Sequence, residues 1–550
     1  MTLIRPIPAP LARIGSAAIL IAWGVAMAAL VNRSYIQASS SLAADLARYG
    51  SAAHWRGVYY RGEKIGFTVS QTVPAGDGFE LQEDGRLQMS ALGATTAASI
   101  RTTARVNARF ELQSFDFSLD PGTGPTRVSG SIEPGVLRLS ISTPGGTRAE
   151  TRDLAEPPVL GVNLARRLAA AGLRPGARYE WRMFDPATLS NAPMVLSVGA
   201  RENVSVDVPA TFQLGSRRMQ GIRSRPIPAF RVDVSFSGLR TTSWITDTGE
   251  VVREESPLGM ITVRETPERA RALAVASRGR TDLLEDAAVK PVMRGRIDEP
   301  RNVTRLRLRL EGVDLSPFEL DGGHQLLAGN VVELRDPRLL EPGDTDPSAR
   351  SHLAPEPLLE SDDEAIVAEA RRAVAGVAGA RARAERLTRY VNALLEKKPT
   401  VSLPSAREVL RTKIGDCNEH TALYVAMARA VGLPARIAVG LTFLRGAFYY
   451  HAWPEVYLEE GRGRGLWLPV DPTLNQFPAD ATHLRLARGG LDRQTLVLPL
   501  IGRLRIVVED LALAPGSVPV LVGRAPADES PLAIPLPSRN PGDCWSPARR

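Results

Sequence analysis

The strongest constraint on the fold is a long region in which apolar and polar side chains alternate. Segments such as RLQMSAL, ARFELQSFDFSL and FRVDVSFSG repeat this two-residue period between positions 50 and 275. Because successive side chains of a strand point to opposite faces, the pattern is typical of half-buried β-strands. Turn signals separate the segments, and one helical interruption, GVNLARRLAAAGL, lies at 161–173. We therefore predict an antiparallel β-rich domain over residues 50–275.

The hydrophobic period changes across a Pro-, Asp- and Ser-rich linker, EPGDTDPSARSHLAPEP. Before the linker, VTRLRLRLEGV predicts a small β segment at 297–345. After it, apolar residues recur at helical spacing, and the acidic run beginning at Asp362 suits a helix start, where the free N–H groups and the helix dipole favour acidic side chains. Residues 360–510 are predicted to form a separate domain. The Pro-rich segment 515–550 has little periodicity and is predicted to be disordered.

The N-terminus carries an apolar run, IGSAAILIAWGVAMAALV, at 14–31. A run of this length can cross a hydrocarbon core of about 30 Å. Residues 1–31 are therefore predicted to be a transmembrane anchor, although Ala26-Met27-Ala28 also satisfies the cleavage pattern of a removable signal peptide. We expect a single-pass membrane protein with the rest of the chain outside the cytoplasm, or a periplasmic protein if the segment is cleaved.

The charge of the chain argues against a nucleic-acid partner. The formal net charge is +8, but the excess is almost all arginine, and no basic run is interleaved with aromatic residues. Two cysteines in so long an exported chain mean that disulfides do not hold the domains together. Nothing in the sequence resembles a calcium site with clustered Asp and Asn ligands, and the acidic run at Asp362 is explained as a helix start, so we predict no metal and no cofactor. The oligomeric state stays open.

One of the two cysteines, Cys417, lies at a predicted helix start within GDCNEHTALYVAMARAVGLPAR. Gly415 allows a tight turn into the helix, Asp416 suits its cap, and the apolar residues that follow predict an amphipathic helix. A thiol in the first turn lies near the positive end of the helix dipole, which favours the thiolate of a nucleophile. The alternative is a small buried apolar residue, a common role for free cysteine.

The second cysteine, Cys544, occupies a similar stretch, NPGDCW, in the Pro-rich tail. No amphipathic helix follows it, and no His or Asp lies downstream, so it is a poor candidate for a nucleophile. A disulfide between Cys544 and Cys417 is a further alternative, which would block the thiol.

A thiol nucleophile also needs a base, and we compare three histidines for this role. His420 lies three residues beyond Cys417 on the same helix, where the pair leaves little room for a substrate, so a structural role is favoured. His483 has no comparable surroundings. His451 lies in FYYHAWPEVYLEE, which is a strand by composition.

The orienting partner predicted for His451 is Asp471. The turn GRGRG follows the His451 strand, and LWLPVDP then forms a second strand that ends at Asp471. Two strands joined by a turn are antiparallel neighbours, so both side chains are expected at one edge of the sheet, where the carboxylate can fix the imidazole tautomer. The alternative is an ordinary hairpin with an exposed His and a turn-forming Asp.

Taken together, three motifs resemble the bacterial transglutaminase-like superfamily of papain-like thiol enzymes: GDCNEHTALYVAMARAVGLPARIAVG, HAWPEVYL and WLPVDPT. The resemblance extends into ADATHLRLARGG and covers residues 360–510. It implies an α+β fold, in which a papain-like core of N-terminal helices packed on an antiparallel sheet follows a β-rich extracytoplasmic region. It further implies that Cys417 is the nucleophile, His451 the general base and acid, and Asp471 the orienting carboxylate. Trp453 and Glu455 recur in the histidine motif and are expected to shape the substrate-binding site.

The expected function is that of an exported cysteine enzyme that cleaves or transfers an amide or peptide acyl group through a thioester. If water resolves the thioester the enzyme is a protease or amidase, and if an amine does so it is a transglutaminase; the sequence leaves both open. The expected partners are a protein, peptide or cell-wall amide substrate, and the membrane through the N-terminal helix. The alternative is a non-catalytic binding or assembly protein of the cell envelope with an idle triad.

Overall fold

The structure is a computed structural model that describes residues 53–515. Short gaps in this description lie at 92–93, 123, 209–211, 214–217, 220–222, 237, 257–258, 273–282, 399–404, 462, 490–492 and 494. The predicted membrane segment at 1–31 and the predicted tail, including Cys544, lie outside the described residues. Among the residues that are described, no helix combines the length and apolar character of a membrane span.

An antiparallel sheet of 14 strands dominates the first half of the described chain. Its first eight strands form a meander: β1 (His54–Tyr60), β2 (Glu63–Ala75), β3 (Gly78–Ala91), β4 (Ala94–Val106), β5 (Leu112–Asp120), β6 (Thr126–Glu133), β7 (Val136–Thr143) and β8 (Gly146–Asp153). After helix α1 (Gly161–Ala171) come β9 (Arg178–Asp185), β10 (Ser190–Val208), β11 (Phe212–Gln213), β12 (Arg218–Met219), β13 (Arg223–Phe236), β14 (Leu239–Ile245), β15 (Val251–Glu255) and β16 (Met260–Arg264). Of these, β11 and β12 form a separate hairpin.

The large sheet is joined through its first and last strands. Val58 of β1 lies opposite Thr262 of β16, so the strand order runs from β8 through β1 to β16 and on to β9. The alternation seen in the sequence appears as alternating burial, for example in β5, where Phe115 and Phe117 are buried. Helix α1 covers part of the sheet and buries Leu168 completely. Burial of one strand face supplies the apolar driving force for these local patterns.

The predicted α+β fold class is wrong for this chain. The structure is predominantly β, with 50% of the described residues in strands and 20% in helices, and its largest element is the sheet of 14 strands. The motifs on which the expectation rested occupy only the second half of the chain, whereas the long alternating region before them contributes most of the residues in regular structure. The fold class of the described chain is therefore predominantly β, and the predicted arrangement of helices packed on a sheet does not describe the molecule as a whole.

Two smaller sheets occupy the second half of the described chain. The four-stranded sheet contains β17 (Val303–Glu311), β18 (Gln325–Ala328), β19 (Val331–Arg335) and β27 (Arg505–Leu513). The five-stranded sheet contains β20 (Gly343–Asp344), β23 (Ala435–Leu444), β24 (Ala447–Gly461), β25 (Arg464–Pro469) and β26 (Leu484–Arg488) in the order β20-β25-β24-β23-β26. A short parallel pair joins β21 (Glu396–Lys397) to β22 (Ile414–Gly415). Strand β17 pairs with β27, which brings together segments about 200 residues apart.

The helices lie mainly between positions 364 and 430. After the short helices α2 (Pro267–Arg271) and α3 (Leu283–Ala287), they are α4 (Glu364–Ala373), α5 (Ala380–Leu394), α6 (Ala406–Thr412) and α7 (Cys417–Ala430). Short 3₁₀ turns lie at Pro300–Asn302, Pro337–Leu339, Ala349–Leu353 and Thr495–Leu500. Asp363 caps α4 by accepting from the N–H of Ala365 and Ile366, as the acidic run predicted.

Helix α7 differs from the amphipathic helix that the sequence predicted. Every residue from Glu419 to Arg429 is buried, so the helix has no solvent-facing stripe along most of its length. It packs against α4, α5, α6 and strand β24. A helix that is buried on nearly all sides is expected at the centre of a core. Its buried polar side chains need hydrogen-bond partners, and Arg429, for example, donates to the carbonyl oxygen of Ala435. The first residue of this central helix is Cys417.

Candidate active site

The start of α7 is fixed by a reciprocal cap. The Asp416 side chain accepts from the N–H of Asn418 at 3.0 Å, and the Glu419 side chain accepts from the N–H of Asp416 at 2.9 Å, which is a capping box. Gly415 is needed beside it, because a Cβ at that position would lie 2.2 Å from the Glu419 Cβ. The cap holds Cys417 as the first residue of the helix and leaves its backbone N–H among the free N–H groups of the first turn.

Strand β24 lies against this helix start. The Thr421 hydroxyl of α7 donates to the carbonyl oxygen of Ala452 at 3.1 Å, and the backbone N–H of Ala452 hydrogen-bonds the Cys417 thiol. Ala452 follows His451 directly in the chain. The helix and the strand therefore bring the thiol beside the backbone of the residue next to His451, a placement that arises from two elements rather than from one helical turn.

The resting Cys417 is held as a neutral thiol. Burial raises its pKa well above the ordinary value, the nearby charges of Asp416, Glu419 and Asp471 raise it further, and the hydrogen bond from the Ala452 N–H lowers it. The expectation that the helix start favours the thiolate is therefore wrong for the resting site. The dipole contributes at most about 2 kcal/mol, whereas burial and three carboxylates act against it.

The predicted contact between His451 and Asp471 is present. Strands β24 and β25 are antiparallel neighbours, with Glu455 opposite Pro469, and Asp471 follows β25 at the same edge as His451. The His451 Nε2 lies 2.8 Å from the Asp471 Oδ2, and the other carboxylate oxygen accepts from the N–H of Leu474 at 2.9 Å. The Asp471 side chain is 0% exposed, so a water molecule does not replace either contact.

The Asp471 carboxylate is ionised. Its burial alone would raise its pKa, but the charges and hydrogen bonds of His451 and His483 hold the pKa well below the usual range. An ionised carboxylate accepts and does not donate, so the Nε2 of His451 carries the proton of that hydrogen bond. This tautomer leaves the Nδ1 of neutral His451 with a free lone pair, which is the atom able to accept a proton from the thiol.

A second histidine, His483, shares the same carboxylate, and sequence reasoning missed it. Its Nε2 lies 3.1 Å from the Asp471 Oδ2, and its Nδ1 lies 3.2 Å from the Asp480 Oδ1. Burial alone would lower its pKa, but the hydrogen bonds and charges of the two carboxylates raise the pKa to about 10. The segment ADATHLRLARGG already contained both Asp480 and His483, but only their approach to Asp471 in the fold reveals the contact.

The other residues singled out from the sequence lie around this group. Trp453 is fully buried, its ring stacks on His451 at 6.0 Å, and it meets His483 edge to face at 5.1 Å. His420 points its Nδ1 at the carbonyl oxygen of Asp416 at 2.7 Å, which agrees with the structural role favoured for it. Burial lowers the pKa of His420, so it is neutral. Trp453 fixes the two imidazoles by packing, and its contact with a substrate stays a prediction.

Glu455 is buried among three arginines, of which Arg485 is fully buried and Arg436 and Arg488 are partly exposed. Its carboxylate accepts from Arg436 at 2.8 Å, from Arg488 at 2.9 Å and from Arg485 at 3.3 Å. Burial alone would raise the pKa of Glu455, but these three guanidinium groups hold it far below the usual range. Arg485 is itself fully buried and donates to the carbonyl oxygens of the 319–322 segment. The cluster ties β24 to β23 and β26, and a role of Glu455 in binding substrate stays a prediction.

His451, Asp471 and His483 could also hold a metal ion, because one ligand atom from each lies within 4.8 Å of the others. The Asp480 carboxylate on His483 matches the usual outer partner of a metal-bound imidazole. In the structure, however, both Nε2 atoms lie at hydrogen-bond distance from one oxygen of Asp471, so shared protons account for the grouping. The expectation of no metal and no cofactor stays a prediction.

A buried carboxylate on a histidine, beside a cysteine at a helix start, defines the class of thiol enzymes. Residues 368–472 match the family model described as the transglutaminase-like superfamily, and this confirms the resemblance predicted from the motifs. The matched segment includes Cys417, His451 and Asp471. No curated protein matches the chain in sequence.

Three solved structures show weak likeness to the chain. A protein of Cytophaga hutchinsonii, provisionally described as a cysteine protease, is 17% identical, with 42% of this chain and 89% of that chain covered and a TM-score of 0.24. A β-barrel-like protein of unknown function from Brucella abortus is 15% identical, with 39% of this chain and 96% of that chain covered and a TM-score of 0.28. A Parabacteroides distasonis protein, provisionally described as a protease, is 11% identical, with 65% of this chain and 64% of that chain covered and a TM-score of 0.19. With TM-scores this low, these likenesses carry no functional argument.

Proposed function

We propose that the protein is a cysteine hydrolase or acyltransferase that acts on an amide or peptide bond through a thioester. The observation that carries this proposal is the buried hydrogen bond of 2.8 Å between His451 and Asp471, at the strand position next to the Cys417 thiol. A structural hairpin has no need for an ionised carboxylate without solvent contact, because burying such a charge costs several kcal/mol unless it is paired. The paired carboxylate instead orients a base.

The proposed reaction begins with transfer of the Cys417 proton to the Nδ1 of His451 while the sulfur attacks the substrate carbonyl carbon. The carbonyl π electrons move to oxygen, and the Cys417 backbone N–H at the start of α7 stabilises that oxyanion. His451 then donates its proton to the leaving amine as the C–N bond breaks, which leaves a thioester. Attack by water on the thioester gives hydrolysis, and attack by an amine gives acyl transfer. In either case His451 accepts the proton of the attacking group, the C–S bond breaks, and the released Cys417 sulfur takes that proton back from His451.

We further propose that the enzyme acts at the outer side of the bacterial cytoplasmic membrane, on proteins, peptides or cell-wall amides. The support for this placement is the apolar run at 14–31. Limited proteolysis of spheroplasts is the direct test. Digestion of the chain in intact spheroplasts is expected, and full protection there with digestion only after lysis contradicts the outward orientation.

The activity is tested with the purified full chain and a panel of peptides and cell-wall amides. Release of a free amine indicates hydrolysis, and incorporation of a fluorescent amine indicates transfer. The Cys417→Ala variant must lose both, and His352→Ala, which changes a histidine that meets Trp467 edge to face rather than one at Asp471, must retain them. Equal product from the wild type and Cys417→Ala contradicts the proposal. It favours the second candidate, a non-catalytic envelope protein whose large sheet is the functional surface.

A further inference from the structure

The network beyond Asp471 is more extensive than a thiol, a base and a carboxylate require. The Oδ2 atom of Asp471 accepts from two imidazoles, His451 at 2.8 Å and His483 at 3.1 Å. The Nδ1 of His483 then reaches a second buried carboxylate, Asp480, at 3.2 Å. A chain of carboxylate, imidazole, carboxylate and imidazole therefore runs through the interior, and its last member is the proposed base, His451.

His483 is held from every side. Its side chain is 0% exposed, and Trp453 of β24 covers it edge to face at 5.1 Å. Its backbone carbonyl oxygen is hydrogen-bonded at 2.8 Å by the Nε2 of His324, and Thr442 of β23 lies 3.5 Å from its Nε2. A ring packed in this way cannot rotate to follow a moving partner, so it fixes whatever it binds.

Asp480 is equally well anchored. Its Oδ1 atom accepts from the N–H of Thr482 at 2.9 Å and from the Thr482 hydroxyl at 2.6 Å, and its Oδ2 atom accepts from Gln476 at 2.9 Å. The Gln476 side-chain oxygen in turn accepts from the N–H of Asp480 at 2.8 Å. Gln476 also exchanges both backbone hydrogen bonds with Asp471. The two carboxylates are thus joined by a closed loop of hydrogen bonds from residue 471 to residue 483.

The charges around His483 agree with a protonated ring. The titratable groups that face it are the carboxylates of Asp471 and Asp480 and the neighbouring rings of His451 and His324. Burial lowers the pKa of His324 to about 4, so that ring is neutral and adds no positive charge. Two ionised carboxylates with one imidazolium between them satisfy both Nε2–H and Nδ1–H as donors.

We propose that His483 is a positioning residue of the active site, which bridges Asp471 to Asp480 and thereby holds His451 in a single orientation and tautomer. This inference rests on the proposed function, since it assigns His483 to the same site. His483 does not touch the reacting atoms: its only route to the thiol is through Asp471 and His451. A histidine that served folding alone would have no effect on the tautomer of His451.

The test is nitrogen NMR of the full chain labelled at its histidines. The sequence contains six histidines, so each imidazole can be assigned by single substitution. At pH 8 we expect both ring nitrogens of His483 to be protonated, and the neutral form of His451 to carry its proton on Nε2 only. In Asp480→Asn the pH at which His483 loses its proton should fall by about one unit or more, because one of two paired charges is removed. In His483→Gln the single tautomer of His451 should give way to a mixture.

A second measurement is the rate of Cys417 alkylation by iodoacetamide at pH 7.5. His483→Gln should lower this rate about tenfold, the effect of outer partners on an oriented imidazole being of that order. The matched control is His54→Gln, which changes a histidine paired with Glu250 in the large sheet and should leave the rate within about twofold. If His483→Gln does not fold, Asp480→Asn and the wild-type spectrum still decide the question.

Two results would overturn the positioning role: a His483 that titrates like an exposed histidine near pH 6.5, or a His451 tautomer and alkylation rate that are unchanged in a folded His483→Gln. Failure of the proposed function is recognised separately. In that case Cys417 is alkylated at the same rate in the wild type and in His451→Ala, while the spectrum of His483 still shows whether it bridges the two carboxylates.

Discussion

Replacing Asp471 by Asn is the change that most directly tests how the site works. Asp471 Oδ2 lies 2.8 Å from His451 Nε2, and at an effective dielectric constant of about 20 a unit charge pair at that distance is worth about 6 kcal/mol. The imidazolium of His483 is paired with the Asp480 carboxylate on its other side, so its net effect on a charge at His451 is small. The amide of Asn still accepts a hydrogen bond from His451, which is about half as strong as one to a carboxylate, so the substitution removes about 3 kcal/mol from the thiolate–imidazolium pair, or about two-hundredfold.

The assay is alkylation of Cys417 at pH 7.5, followed by intact mass, which needs no knowledge of the substrate. Asp471→Asn should be alkylated about two-hundredfold more slowly than the wild type. The matched control is Asp480→Asn, which removes the other carboxylate on His483 but touches neither His451 nor the thiol. Its rate should fall about tenfold or less, although both variants should lose stability, because each leaves the buried His483 with one carboxylate fewer. A rate in Asp471→Asn within about threefold of the wild type refutes the reasoning.

Three further predictions concern stability and the helix start. Glu455→Ala leaves three arginines without their buried counter-ion. Urea titration should show a free energy of unfolding that is lower by about 3–5 kcal/mol, whereas replacing the exposed Glu459 by Ala should change it by less than about 0.5 kcal/mol. The stability that comes from the raised pKa of His483 is fully present below about pH 6.5 and is lost as the pH rises towards about 10. The midpoint of thermal unfolding should therefore fall across that pH range in the wild type, and fall much less in His483→Gln. Gly415→Ala places a Cβ 2.2 Å from that of Glu419 and should break the cap, with lower helix stability and slower alkylation of Cys417; Gly343→Ala, where a Cβ meets nothing within 4 Å, should change neither.

Sequence patterns predicted the features that depend on a few neighbouring residues, namely helix starts, helix caps and individual strands. The cap at Asp363, the helix start at Cys417 and the strands around His451 all follow from the nature of a few neighbouring residues. The contact between His451 and Asp471 was also predictable, because one tight turn joins their strands and a hairpin fixes which residues share an edge.

Features that depend on distant segments were not predictable in this way. Strand β17 pairs with β27 across about 200 residues, and β1 pairs with β16 over a similar separation, but alternation alone does not say which strand lies beside which. The predicted fold class was wrong because the motifs on which it rested lie in the second half of the chain, whereas the sheet of 14 strands lies in the first half. The sequence does not single out His483, because one of the two carboxylates that it contacts, Asp471, approaches it only in the folded chain.

The thiolate prediction failed because it counted the helix dipole and ignored burial, yet the resting thiol is consistent with the proposed reaction. The negative charge of Asp471 disfavours an isolated thiolate at Cys417. When the proton moves from Cys417 to His451, however, positive charge develops next to that same carboxylate, 2.8 Å away. Asp471 therefore suppresses the thiolate alone and favours the thiolate–imidazolium pair. Formation of the nucleophile is tied to proton transfer onto His451, so a chain without that imidazole should keep an almost unreactive thiol.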